Sequence, residues 1–145
     1  MFPNDFKEFI GLLNAGGVEY LVVGGYAVGV HGHPRYTGDI DIWVNPTPAN
    51  AAKVVQAIRD FGFDSLGLSS DDFIKPDAVI QLGFPPLRID LLTTLADVPF
   101  DACHKARVPI DVEGVTIDFI GKEGLLQTKR AAGRPRDLDD IEHLQ

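Results

Sequence analysis

The chain has one cysteine, Cys103, in 145 residues. A single thiol excludes an internal disulfide and any zinc cage built on cysteines. Positive charge is also scarce, with 13 Lys and Arg against 21 Asp and Glu and a formal net charge of −8. That balance repels a phosphate backbone and disfavours a non-specific nucleic-acid binder. Long apolar runs are missing: the weakly polar stretch over 20–30 is too short and too glycine-rich to span a bilayer. The opening Met1-Phe2-Pro3-Asn4-Asp5 has no basic leader followed by an apolar segment, so the expectation is a soluble, cytoplasmic protein with no membrane part. Repeats, low-complexity tracts and linkers are absent too, which leaves one domain over 1–145. What remains is 45% hydrophobic, enough to build a real core.

Pro3-Asn4-Asp5 caps a first helix in which Phe6, Ile10, Leu12 and Leu13 recur at roughly helical spacing, and Gly16-Gly17 ends it. A β-rich run over 19–23 stops at Gly24-Gly25, and 26–31 reads as a short helix. Asp39-Ile40-Asp41-Ile42-Trp43-Val44 is a strand with one polar end. Thr47 then caps a helix with Pro48 at its first position; Val54, Val55, Ala57, Ile58 and Phe61 lie along one side, and Gly62 stops it. The polar segment 65–76 reads as a loop with a short helix. Strands follow over 79–82 and 87–92, then a hairpin over 108–112 and 115–120 about Glu113-Gly114. The remainder, from Lys122, is helical and interrupted near Gly133-Arg134-Pro135. This order predicts an α/β or α+β fold, a mixed sheet with helices on one face.

Asp39 and Asp41, two apart on a strand, point to one face about 6 to 7 Å apart. Two such carboxylates repel unless they face water or share a cation. Oxygen ligands at the end of an apolar strand suit magnesium; a solvated strand edge is the plainer alternative. Asp90 is a single acid in the apolar strand Leu87-Arg88-Ile89-Asp90-Leu91-Leu92, and acids in such places are paired or bound to metal. Its rival partner is Arg88, two residues back on the same face.

Gly24-Gly25 either is a tight turn needing positive φ or lets the backbone approach a phosphate at the start of the next helix. Lys129, Arg130, Arg134 and Arg136 gather four cations into eight positions, which suits a triphosphate or the negative end of a helix dipole. His31-Gly32-His33 has no third metal ligand at useful spacing and reads as turn residues with surface rings. Trp43 and Phe61 read as core, and Cys103 as inert.

Taken together, Gly24-Gly25, a thirteen-residue spacer, Asp39-Ile40-Asp41 and the later Ile89-Asp90-Leu91 resemble the signature of the polymerase-beta-like nucleotidyltransferase superfamily. The segments Val22-Val23-Gly24-Gly25-Tyr26-Ala27-Val28 and Arg35-Tyr36-Thr37-Gly38-Asp39-Ile40-Asp41 look like its small bacterial members. These are the minimal nucleotidyltransferases and those of toxin–antitoxin and abortive-infection systems. The resemblance runs from about Glu19 to Leu144.

It implies a nucleotidyltransferase fold and catalytic roles for Asp39, Asp41 and Asp90, the first two binding both of two magnesium ions and the third the catalytic one, with manganese as the substitute. It implies that the glycine turn holds the phosphates of a nucleoside triphosphate. Gly25 departs from the serine many members carry there, so phosphate holding falls more on backbone N–H groups and on Lys129, Arg134 and Arg136. Arg35 and Thr37 match positions found in the same subgroup, with a structural pair as the alternative. The expected reaction is magnesium-dependent transfer of a nucleoside monophosphate, AMP foremost, to a hydroxyl of a protein, a tRNA or a small molecule. The alternative is a nucleotide-binding regulatory partner of low turnover, antitoxin-like, acting with a protein encoded nearby.

Overall fold

Phe6, Phe9, Ile10 and Leu13 bury one stripe of the first helix, α1 (Asn4–Ala15), at the i, i+3, i+4, i+7 spacing of an amphipathic segment. The Pro3 carbonyl accepts from the Phe6 and Lys7 N–H groups. At the other end Gly17, at φ 69°, closes a Schellman turn: Gly17 N–H donates to Asn14 O and Val18 N–H to Leu13 O. The computed structural model describes residues 2–33, 38–63, 66–84 and 87–145.

The chain then forms β1 (Tyr20–Val23), α2 (Gly24–Val30), β2 (Asp39–Val44) and α3 (Pro48–Asp60). A 3₁₀ turn at Ser70–Phe73 precedes β3 (Val79–Phe84) and β4 (Leu87–Leu92). The rest is α4 (Phe100–Lys105), β5 (Val108–Val112), β6 (Val115–Phe119), α5 (Lys122–Ala132) and α6 (Pro135–Leu144). Thr47 caps α3 as expected, its hydroxyl accepting from Asn50 N–H at 3.3 Å. Helix α4, six residues long, has no counterpart in the sequence reading; it is too short for helical periodicity to register.

The strands form one six-stranded sheet in the order β3-β4-β2-β1-β6-β5. Pairs β2·β4 and β1·β6 are parallel and the others antiparallel, so the mixed α+β architecture is as expected. All four residues of β1 are buried, because the strand lies mid-sheet with cover on both sides.

That cover corrects one expectation. Helices do not lie on one face only. Tyr20, level with Val44, shares the face of Ile40 and Ile42, and its hydroxyl donates to Asn14 of α1 at 2.9 Å. Trp43 belongs to the opposite face, with Asp39 and Asp41, and there the Phe100 ring of α4 meets it edge-on at 5.1 Å. Sequence periodicity marks which residues of a strand share a face, not which helix covers them.

Candidate active site

Parallel pairing of β2 with β4 sets Asp39 level with Arg88 and Asp41 level with Asp90. Three carboxylates and one guanidinium therefore project from one face of two neighbouring strands. Arg88 binds two of the acids at once. Its Nε donates to Asp90 Oδ1 at 2.8 Å, and its Nη2 donates to Asp90 Oδ2 and Asp39 Oδ2, both at 3.1 Å. The rivalry over Asp90 thus has a definite geometry: Arg88 is its partner and also reaches across to Asp39. These charge-assisted bonds hold the guanidinium in its protonated form.

Asp41 is in the opposite situation. Burial pushes its pKa up from 3.8 to about 6, and the charges of Asp90 and Asp39 add to the rise while Arg88 and Arg136 oppose it. A carboxyl so placed carries an unfavourable charge that a cation would relieve.

Gly24 follows β1 directly and opens α2, at φ 65°. Its backbone lies against Asp41. A Cβ built there would overlap Asp41 Oδ2 and stand 3.1 Å from Asp41 Cγ. Positive φ and the close approach both require glycine. No side chain caps the start of α2, which leaves its first N–H groups to other partners.

A cleft of about 870 Å³ joins these elements. Asp39, Asp41 and Asp90 line it from the sheet, Gly24 and Gly25 from the start of α2, and Lys129, Arg134 and Arg136 from the C-terminal helices and the turn between them. Its size falls within the usual range of small-molecule sites, about 300–1,000 Å³. The structure therefore brings together the acids, the glycines, Lys129, Arg134 and Arg136; Arg130 lines a separate pocket beside Cys103 and Gln127, and Arg35 and Thr37 lie outside the described residues.

The basic residues are not equivalent. Lys129 is buried, and its Nζ lies 2.9 Å from Asp140 Oδ2 and 3.3 Å from Asp137 Oδ1, both acids being buried as well. Its charge is already matched within the wall of the cleft. Arg134 keeps 62% of its side chain exposed while its Nε donates to Asp137 Oδ2 at 2.7 Å. The Asp137 carboxylate also accepts from the Arg134 N–H at 3.2 Å, fixing the start of α6. Sequence reasoning missed the turn after β4, where Leu95, Ala96 and Asp97 line the cleft and both Ala96 and Asp97 adopt positive φ. Alanine does not signal that backbone, and aspartate signals it only weakly. His31, expected as a surface ring, instead places Nε2 2.7 Å from the Ile120 carbonyl.

Residues 3–145 match the family model described as nucleotidyl transferase of unknown function (DUF2204). The chain belongs to this family. The nucleotidyl transferase assignment agrees with its fold neighbours. A nucleotidyltransferase structure from Thermotoga maritima superposes with TM-score 0.65 at 15% identity, over 94% of this chain and 88% of that one. The lincosamide antibiotic adenylyltransferase LnuA, lincomycin-bound, gives 0.57 at 17% identity over 99% and 96%. ANT(2″)-Ia, in complex with adenylyl-2″-tobramycin, gives 0.59 at 12% identity over 96% and 84%. At such identities the likeness is one of fold. Among curated sequences, an aminomethyltransferase of Listeria welshimeri is 33% identical over 110 residues, 76% of this chain. The chain spans 28% of that relative's length, so the activity in its name does not carry over. Among the described residues no helix is long and apolar enough to cross a membrane.

Proposed function

We propose that this nucleotidyl transferase moves a nucleoside monophosphate, AMP foremost, from a nucleoside triphosphate to a hydroxyl, with magnesium held by Asp39, Asp41 and Asp90. The observation that carries the reading is the meeting of three carboxylates with the Gly24 backbone in one cleft that Arg134 and Arg136 also line. The donor set fits a hard divalent cation, because every ligand atom is a carboxylate oxygen. It also fits electrostatically: Asp41 is buried beside two other carboxylates, and Arg88 binds those two rather than Asp41. Magnesium there supplies charge neutralisation for the oxygens of an in-line displacement.

The protein's part is to bind and orient. The backbone at Gly24 and Gly25 faces the phosphates, and at Gly24 a side chain would collide with Asp41. Arg134 and Arg136 hold the outer phosphates, and Arg134 can reorient because most of its side chain is in solvent. The acceptor hydroxyl oxygen bonds the α-phosphorus, the bond to pyrophosphate breaks, and the hydroxyl proton passes to the Asp90 carboxylate. Two fold neighbours are a lincosamide antibiotic adenylyltransferase with lincomycin bound and ANT(2″)-Ia in complex with adenylyl-2″-tobramycin, which favours a small-molecule acceptor over tRNA for a chain of net charge −8.

The test is incubation with labelled ATP, magnesium, a panel of small hydroxylated compounds and the product of a neighbouring gene. Label on an acceptor, lost in Asp41→Asn, is the expected result. Nucleotide binding without transfer to any of them would favour the low-turnover regulatory partner.

A further inference from the structure

We propose that His33, Asp139 and His143 form a second divalent-metal site, suited to zinc-class ions, that ties the chain beyond α2 to α6. The proposal is independent of the reaction above. His33 stands just past α2, fixed by its N–H donating to the Val28 carbonyl at 3.1 Å. Asp139 and His143 are four apart on α6 and so share a helical face. One ligand atom from each of the three residues lies within 4.8 Å of the other two.

The distances suit an ion better than direct bonds. His33 Nε2 is 3.9 Å from Asp139 Oδ2 and 3.9 Å from Asp140 Oδ1, beyond hydrogen-bond reach but within the roughly 4 Å that two zinc–ligand bonds span. His143 Nδ1 lies 2.9 Å from the Asp139 carbonyl. A proton donated to this carbonyl leaves the lone pair on Nε2, the second-contact arrangement usual for a metal-binding imidazole. Asp140 is matched to Lys129 and serves as a neighbouring negative charge.

The His33 and His143 rings are stacked, 3.9 Å between centroids and 14° from parallel. Imidazole lone pairs lie in the ring plane, so one ring must turn before both can point at one ion. His143 can turn, its side chain being half exposed. Two imidazoles and one carboxylate select zinc, cobalt, nickel or copper over magnesium, whereas the all-oxygen set of Asp39, Asp41 and Asp90 has the reverse preference. Three protein ligands leave a position for water.

The probe is cobalt(II), titrated into protein free of any histidine tag and followed by its visible absorption, with zinc(II) added to displace it. The expected result is one equivalent bound and displaced by zinc, unchanged in Asp41→Asn, and weakened at least about tenfold in both His143→Ala and His33→Ala. His143 is at the surface, and circular dichroism confirms that its variant is folded. Absence of the cobalt spectrum, its survival in His143→Ala, or its loss in Asp41→Asn would each overturn the proposal.

Discussion

Asp41 and Asp90 stand level with each other on the parallel neighbours β2 and β4, yet Arg88 binds Asp90 and Asp39 and not Asp41. Burial is the main reason the Asp41 pKa rises to about 6, and the charges of Asp90 and Asp39, which Arg88 and Arg136 oppose, add to it. A site selected for a ligand is often unfavourable without it.

Asp41→Asn should therefore separate stability from function. The melting temperature in chelator at pH 8 should rise, because one of three crowded charges is gone. The further rise that magnesium and ATP give the unmodified protein should vanish, since only a bound ligand stabilises the native state by mass action. Differential scanning fluorimetry measures both. A variant that melts lower in chelator and still responds to magnesium would contradict the site.

Arg88→Met tests the built-in counter-ion. Removing it takes a guanidinium from Asp90 and Asp39, so the metal-free protein should melt lower. Its response to magnesium should be larger than that of the unmodified protein, because the ion no longer competes with a resident cation. Calorimetric titration with magnesium reads the affinity directly. An unchanged affinity would mean that Arg88 and the ion do not share these oxygens.

Gly24→Ala places a methyl group on Asp41 and forces alanine to positive φ. The backbone strain alone costs about 1 to 3 kcal/mol. Displacement of Asp41 should abolish nucleotide transfer, while Gly29→Ala, with nothing within 4 Å of the added carbon, should leave transfer intact. Comparing the two rates separates the turn from a general effect on helix α2.

Lys129→Met should be the most destabilising of these changes. The buried Asp137 and Asp140 would lose the ammonium that binds both, Asp137 keeping Arg134, and breaking a buried pair in this way costs about 3 to 5 kcal/mol. Chemical denaturation measures the loss. A small effect would mean that the wall between α5 and α6 is not held by this cluster.

Asp137 gives a pH dependence of known sign. Burial works to raise its pKa, but hydrogen bonds from Arg134 and Lys129 outweigh it and hold the carboxyl below its ordinary 3.8. A depressed carboxyl contributes stability that is present above about pH 4 and is lost as the pH falls through the folded value. In Asp137→Asn the fall in melting temperature below pH 4 should be shallower, starting from a lower value at pH 7. Parallel curves for the two proteins would remove Asp137 from the acid transition.

The candidate site was legible to the extent that its residues obey local rules. Asp39 and Asp41 alternate with apolar neighbours, and a period of two places both on one face wherever the strand goes. Gly24-Gly25 marks a strand-to-helix break that few other residues permit. Lys129 shows the opposite case. It reads in the sequence as one of four clustered cations, but the turn at Gly133 folds α6 back on α5, and Asp137 and Asp140 take its charge. His33 likewise has only His31 near it in sequence and finds Asp139 and His143 more than a hundred residues on.

By itself, then, the sequence determined the strands, most of the helices, and the face that carries the acids, because each follows from periodicity, capping and turn chemistry within a few residues. Only the tertiary structure decided the pairing of β2 with β4, the reach of Arg88 to Asp39, the burial of Lys129 and the helices covering both faces of the sheet. Those depend on which distant segments become neighbours. That choice is made by burial and charge matching across the whole sheet, which no local pattern records.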